Sequence, residues 1–222
     1  MLPTRLAGLA LALLLAAVPA TARHHRSSGN ATPGQFDYYL LSLSWSPAFC
    51  LESPQSVECQ GPRGYGLIVH GLWPQLDDGS RIEHCDVHER VEPWVADGML
   101  DLMPATGLIY HEWSAHGTCS GVDAGSFFRL VRSARAGFTV PASLARPAAT
   151  LNRPTAALLG ELRAANPDYP ADSLLVTCTG QDVPRLREVR VCLSRDLRPR
   201  ACAPDVLHAA CRSPQLLIPP IR

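Results

Sequence analysis

Eight cysteines (Cys50, Cys59, Cys85, Cys119, Cys178, Cys192, Cys202 and Cys211) constrain this chain most, because all of them follow a segment suited to export. Arg5 gives that segment a positive start, and Leu6 to Val18 carries no charge. Ala20-Thr21-Ala22 then has the small-x-small pattern of a signal-peptidase site. The apolar run is short for a bilayer-spanning helix, so residues 1–22 read as a removed signal peptide rather than a membrane anchor. An even cysteine count in an oxidising compartment reads as four disulfides. Zinc is the alternative, but the sequence has no C-x-x-C pair. Counting alone leaves roughly a hundred pairings open.

Of the 222 residues, those beyond position 22 are enough for one domain with a real core, placed at 35–222 behind a polar, turn-rich leader at 23–34. Asn30-Ala31-Thr32 fits a glycosylation sequon, which matters only in a eukaryotic host. Cations and anions balance at 20 each, every cation is Arg, and loss of the signal removes Arg5 alone. Such a chain is no general nucleic-acid coat, because binding phosphates without sequence choice needs a clear cationic excess. Work on a nucleic acid must come from a local site. The expected location is secreted or periplasmic, as a monomer with no membrane contact.

Alternating apolar residues predict strands at Phe36–Trp45, Tyr65–Leu72, Leu174–Thr179 and Glu188–Leu193. In the first, Leu41, Leu43 and Trp45 share a face. In the last, Val189, Val191 and Leu193 alternate with Arg190 and Cys192. Helices are expected from Pro93 to before Pro104, over Leu108–His116 with Gly117 as a left-handed cap, from an Asp123 cap to Gly137, and over Pro154–Ala165. The stretch from Pro141 to Pro154 reads as a surface loop. Arg185 to Arg200 could form a phosphate-facing surface, but its interleaving with Glu188 and Asp196 favours a solvated face. Strands early and late with helices between them point to an α+β fold: a mainly antiparallel central β-sheet with several flanking α-helices, stabilised by disulfides.

Two segments concentrate reactive side chains: His70-Gly71-Leu72-Trp73-Pro74-Gln75 and His111-Glu112-Trp113-Ser114-Ala115-His116-Gly117-Thr118-Cys119. On a helix, Glu112 and His116 share a face, and a carboxylate beside an imidazole raises its pKa and fixes its tautomer. His111 lies five before His116, about 140° round the helix. A zinc protease needs H-E-x-x-H, and the spacing here is H-E-x-x-x-H. His70 ends an apolar strand beside Gly71, which admits close approach of other groups. Trp73 offers a flat face on which a base can stack.

Together, H-G-L-W-P and H-E-W-x-x-H-G-T-C resemble the two active-site signatures of the ribonuclease T2 family. The likeness extends to Leu43–Cys50 and Leu186–Leu193 and covers nearly all of the chain beyond the signal. It implies a metal- and cofactor-independent endoribonuclease of low base specificity. Single-stranded RNA would be cut through its own 2′-hydroxyl, by way of a 2′,3′-cyclic phosphate, with no stable binding of DNA. By resemblance, His116 is the general base and His70 the general acid. Glu112 supports the transition state, His111 helps hold phosphate, and Trp73 and Gln75 bind substrate at the base pocket. The resemblance also implies the pairs Cys50–Cys59, Cys85–Cys119, Cys178–Cys211 and Cys192–Cys202. Two positions depart from it. Ala115 stands where many relatives carry Lys, and Gln75 stands where an acidic residue is common. A non-catalytic binding protein on the same fold, or a disulfide-rich structural protein, would keep the cysteines but show no turnover of RNA.

Overall fold

Strand β1 (Tyr38–Trp45) sorts its side chains strictly by parity. Tyr39, Leu41, Leu43 and Trp45 enter the main hydrophobic core, while Tyr38 and Leu40 join a smaller cluster with Leu175, Cys192, Cys202, Ala203 and Val206. This is the two-residue period of a strand buried on both faces. The computed structural model describes residues 32–61, 64–85, 87–180 and 184–221. The signal at 1–22, most of the leader and two residues of the sequon lie outside the described residues. Among the described residues, no helix is long and apolar enough to cross a membrane.

β1 lies between β2 (Leu67–Gln75) and β5 (Arg185–Ser194), antiparallel to both. β4 (Leu174–Thr179) pairs antiparallel with β5, and β3 (Leu151–Pro154) with β6 (Gln215–Ile218). β6 meets β5 in parallel at Arg185 and Leu217, so the mainly antiparallel sheet is mixed rather than pure.

The helices are α1 (Ser46–Glu52), α2 (Val57–Gln60), α3 (Pro93–Asp97), α4 (Thr106–Ala115), α5 (Ala124–Ala136), α6 (Ala142–Ala145), α7 (Thr155–Ala165) and α8 (Pro204–His208). A 3₁₀ turn, Gly117–Ser120, follows α4. α5 starts as its sequence suggests, with the Asp123 carboxylate accepting the Ser126 N–H, and it buries Phe127, Val131 and Ala134. Ile109 and Trp113 of α4 and Leu158 and Leu162 of α7 complete the same core. The fold is α+β, as expected.

Several expectations are corrected. The helix from Pro93 stops at Asp97, well short of Pro104. The Pro141–Pro154 stretch is not a plain loop, because it contains α6 and β3. β2 does not end at Leu72 but runs to Gln75, with Pro74 accommodated on an edge strand. Gly117 is not a left-handed cap; the left-handed glycine here is Gly121, φ +79°. Gly117 is glycine for another reason, since a Cβ there would overlap the Trp113 ring and meet Phe127 at 2.9 Å. All four expected disulfides are formed: Cys50–Cys59, Cys85–Cys119, Cys178–Cys211 and Cys192–Cys202.

Candidate active site

Cross-strand neighbours in a sheet share a face. On the face opposite the main core, Leu40 of β1 is flanked by Trp73 and Cys192, Ser42 by Gly71 and Arg190, and Ser44 by Ile68 and Glu188. Two serines and a glycine at the centre leave a hollow, over which the long side chains of β2 and β5 can lean toward each other.

The β1–β2 ladder slips by one residue here. Ser42 faces Gly71 and Leu43 faces Val69, so His70 is the extra residue of a β-bulge within β2, not the end of a strand. A regular strand would turn His70 and Gly71 to opposite faces. The bulge lets His70 and Gly71 share the hollow.

His70 Nδ1 lies 2.9 Å from Glu188 Oε1. A carboxylate only accepts, so Nδ1 carries the proton and Nε2 is left for other chemistry. Glu188 is 1 % exposed, and its other oxygen takes Arg190 Nε at 2.9 Å and Nη2 at 2.8 Å. Burial alone would discourage charge on His70, but the Glu188 hydrogen bond and the nearby Glu112 outweigh it and raise the pKa above its ordinary value. Burial likewise opposes charge on Glu188, yet the His70 hydrogen bond and the Arg190 guanidinium hold it down to about 2.

Glu112 reaches this site from α4. Its Oε2 accepts the Trp73 Nε1–H at 2.7 Å, and its Oε1 lies 3.7 Å from His70 Nε2. Oε1 is buried and has no hydrogen-bond partner among the described residues. Burial pushes Glu112 up to about 7, against the opposing pull of His70 and Trp73. The Glu112–Trp73 bond passes directly over Gly71, where a Cβ would collide with both groups. Close approach is therefore what Gly71 provides, and the approaching groups are the protein's own.

The expectation that Glu112 sits against His116 and raises its pKa is overturned. α4 ends at Ala115, and His116 has left helical geometry (φ −125°, ψ −46°), so the helical spacing no longer applies. Burial, with the charges of His111, His70, His84 and Arg81, pushes His116 down to about 3. His116 is held by its surroundings: its N–H donates to Glu112 O, its O accepts from Cys119 N, and Cys119 is bonded to Cys85.

Trp73 links the two imidazoles. Its ring centroid lies 5.2 Å from those of both His70 and His116, which puts the imidazoles no more than about 10 Å apart. His111 is exposed on α4, near enough for its charge to act on His116. Gln75 lines a cavity of about 550 Å³ with Trp73, His116, Arg81, Arg190 and Asp205, but its amide N–H is turned onto Pro74 O at 2.8 Å. A second cavity of about 560 Å³ opens on the His70 side, with Phe49, Val57, Leu100 and Leu108 in its walls.

Thus His70, Glu112, His116 and Trp73 come together, His111 stays at the margin, and Gln75 lines the wall. The sequence reading missed Glu188 and Arg190. They are not part of a solvated face: Glu188 is buried and Arg190 is largely covered. The signal was their alternation with Val189 and Val191, which puts them on one face, but not what covers that face.

The model of the ribonuclease T2 family matches residues 36–202. A ribonuclease of Aeromonas hydrophila is 40 % identical over 102 residues, 46 % of this chain and 46 % of that protein. A probable ribonuclease of Haemophilus influenzae is 31 % identical over 115 residues, 45 % of this chain and 42 % of its own length. The chain thus spans about half the length of the curated relatives it matches. Two solved structures share the fold. One is a variant of RNase MC1 in complex with 5′-UMP (TM-score 0.65, 21 % identity, covering 82 % of this chain and 97 % of that one). The other is an RNase-related protein from Calystegia sepium (TM-score 0.67, 19 % identity, covering 84 % and 98 %). With a family match across most of its length and both signature histidines beside one tryptophan, the chain belongs to the ribonuclease T2 family.

Proposed function

We propose that this protein is an exported endoribonuclease that cleaves single-stranded RNA by transphosphorylation. The observation that carries the reading is the pair of imidazoles flanking Trp73, with pKa values driven in opposite directions: His116 down to about 3 and His70 upward. At intermediate pH the first is neutral and the second cationic, which is what a base and an acid need to be at the same moment. His116 takes the proton of the 2′-hydroxyl, and that oxygen bonds to the adjacent phosphorus. The bond from phosphorus to the 5′-oxygen breaks, and His70 gives its proton to the departing oxygen. The products are a 2′,3′-cyclic phosphate and a 5′-hydroxyl end.

Glu112, protonated below about pH 7, can offer its O–H to a phosphoryl oxygen, and His111 can hold the phosphate from outside. Trp73 and Gln75 line the pocket for the upstream base, and the apolar cavity beside His70 suits the downstream one. Gln75 contributes both donor and acceptor groups rather than a fixed charge, which fits low base specificity. No step uses a metal, and DNA lacks the attacking hydroxyl.

Mapping the ends produced from a defined RNA in the presence of EDTA tests this reading. Cyclic phosphate and 5′-hydroxyl ends are expected. Ends bearing 5′-phosphate, or activity lost on chelation, would overturn it.

A further inference from the structure

A five-coordinate phosphorus gathers negative charge that a nearby cation must meet. Position 115, just before His116, is alanine and brings no charge to that role. Ala115 is 3 % exposed, its carbonyl accepts the His84 N–H at 2.8 Å, and the His84 ring lies against Ser114 O at 3.2 Å. The segment carrying His84 therefore packs over the end of α4. The charge has to come from another element.

Arg190 meets the geometric requirement. Its guanidinium carbon lies 5.5 Å from the centroid of Trp73, the ring that stands 5.2 Å from both imidazoles. Its side chain is 20 % exposed and lines the cavity shared with Trp73 and His116. Two of its nitrogens are committed to Glu188. A guanidinium has five N–H donors, and the others have no partner among the described residues. Glu188 fixes the plane of this fork on one oxygen and His70 on the other, so the acid and the cation are held as one unit.

We propose that Arg190, clamped by Glu188, is the cation that neutralises the charge developing on the scissile phosphate. The assignment rests on the endoribonuclease reading above. A guanidinium is well suited to this, since its planar fork matches two oxygens of a phosphoryl group and its charge persists at every working pH. Glu188 does not cancel it alone, because the His70 cation shares that carboxylate, so the group of His70, Glu188 and Arg190 carries one net positive charge. Arg81 lines the same cavity and is the rival cation.

The test compares Arg190→Ala, Arg190→Met, Arg190→Lys and Arg81→Ala with the unaltered protein on a short RNA of defined sequence. All are first checked for four disulfides and an unchanged near-UV spectrum. Arg190→Ala and Arg190→Met should lose kcat by ~10²–10³-fold with KM altered less than about threefold, the loss seen when one donor to a developing oxyanion is removed. Arg190→Lys should recover a substantial part, and added guanidinium ion should partly restore Arg190→Ala. Inhibition by uridine vanadate, a five-coordinate mimic, should weaken far more than inhibition by 3′-UMP. Folded Arg190 variants with kcat near that of the unaltered protein sink the proposal, as does a change confined to KM. So does a kcat loss that appears in Arg81→Ala and not at Arg190. No cleavage by the unaltered protein would instead overturn the endoribonuclease reading on which the proposal stands.

Discussion

His70 and Glu188 lie 118 residues apart in the chain and meet through a 2.9 Å hydrogen bond. The bond spans β1, which separates β2 from β5, above the serines that keep the floor of the hollow low. It orients the ring, assigns the proton to Nδ1 and stabilises the imidazolium. Removing the anion should therefore lower the His70 pKa. An acid must be protonated to act, so the alkaline limb of the pH–rate profile in Glu188→Gln should move to lower pH, with the loss of rate greatest on the alkaline side. A uniform loss at every pH would show that Glu188 acts through the fold alone.

His70→Ala and His116→Ala should each lose ~10²–10⁴-fold in kcat, the usual size of a general acid or base contribution. Initial rates on homopolymeric RNA measure this. A variant that kept full activity would remove its histidine from the mechanism.

The depressed pKa of His116, about 3, keeps the proposed base neutral far into acid. The acidic limb of the pH–rate profile should then lie well below the ordinary imidazole value of 6.5. Stability carries a matching signature. Between pH 3 and 6.5 the unfolded chain binds a proton at His116 that the folded chain refuses, so this group weakens the fold as pH falls through that window. An acidic limb at the ordinary imidazole value would contradict the assignment of His116 as base.

Glu112 shows the opposite linkage. Its pKa rises from 4.5 to about 7 on folding, so its contribution is present below 4.5 and lost as pH climbs through 7. Glu112→Gln keeps the shape and removes the titration. Its thermal midpoint relative to the unaltered protein should improve between pH 4.5 and 7, even as the reaction slows. A difference that stays flat with pH would show that Glu112 does not take up a proton on folding.

Gly71→Ala should be costly out of proportion to one methyl group. The added carbon would fall on the Glu112–Trp73 hydrogen bond, so overpacking of about 1–3 kcal/mol is expected together with a loss of rate. Thermal unfolding and initial rates decide it, and a variant with unaltered stability would mean the bond is easily displaced.

Much of the site was legible because its members sit in two short contiguous segments. His70 and Trp73 are three residues apart, Glu112 and His116 four, and each segment mixes groups that rarely cluster without purpose. The partners these residues choose were less visible. Helical spacing pairs Glu112 with His116, but the helix ends one residue too soon, and the carboxylate turns to Trp73 and His70. Glu188 and Arg190 looked like ordinary surface charges in an Arg-rich run, because only the pairing of β5 with β1 brings them under the histidine. In the fold, long periodic segments such as β1 and α5 were readable. β3, β6, α2 and α6, four residues each, are too short to show a period and exist only through their neighbours.

The extra residue that β2 carries at His70 ties the position of an imidazole to the length of the strand. Deleting one residue between Val69 and Gly71 would give a more regular ladder and, judged by pairing alone, a better sheet. It would also take the imidazole out of the hollow. At this point of the strand a regular ladder and an imidazole beside Gly71 exclude each other, and the chain keeps the imidazole.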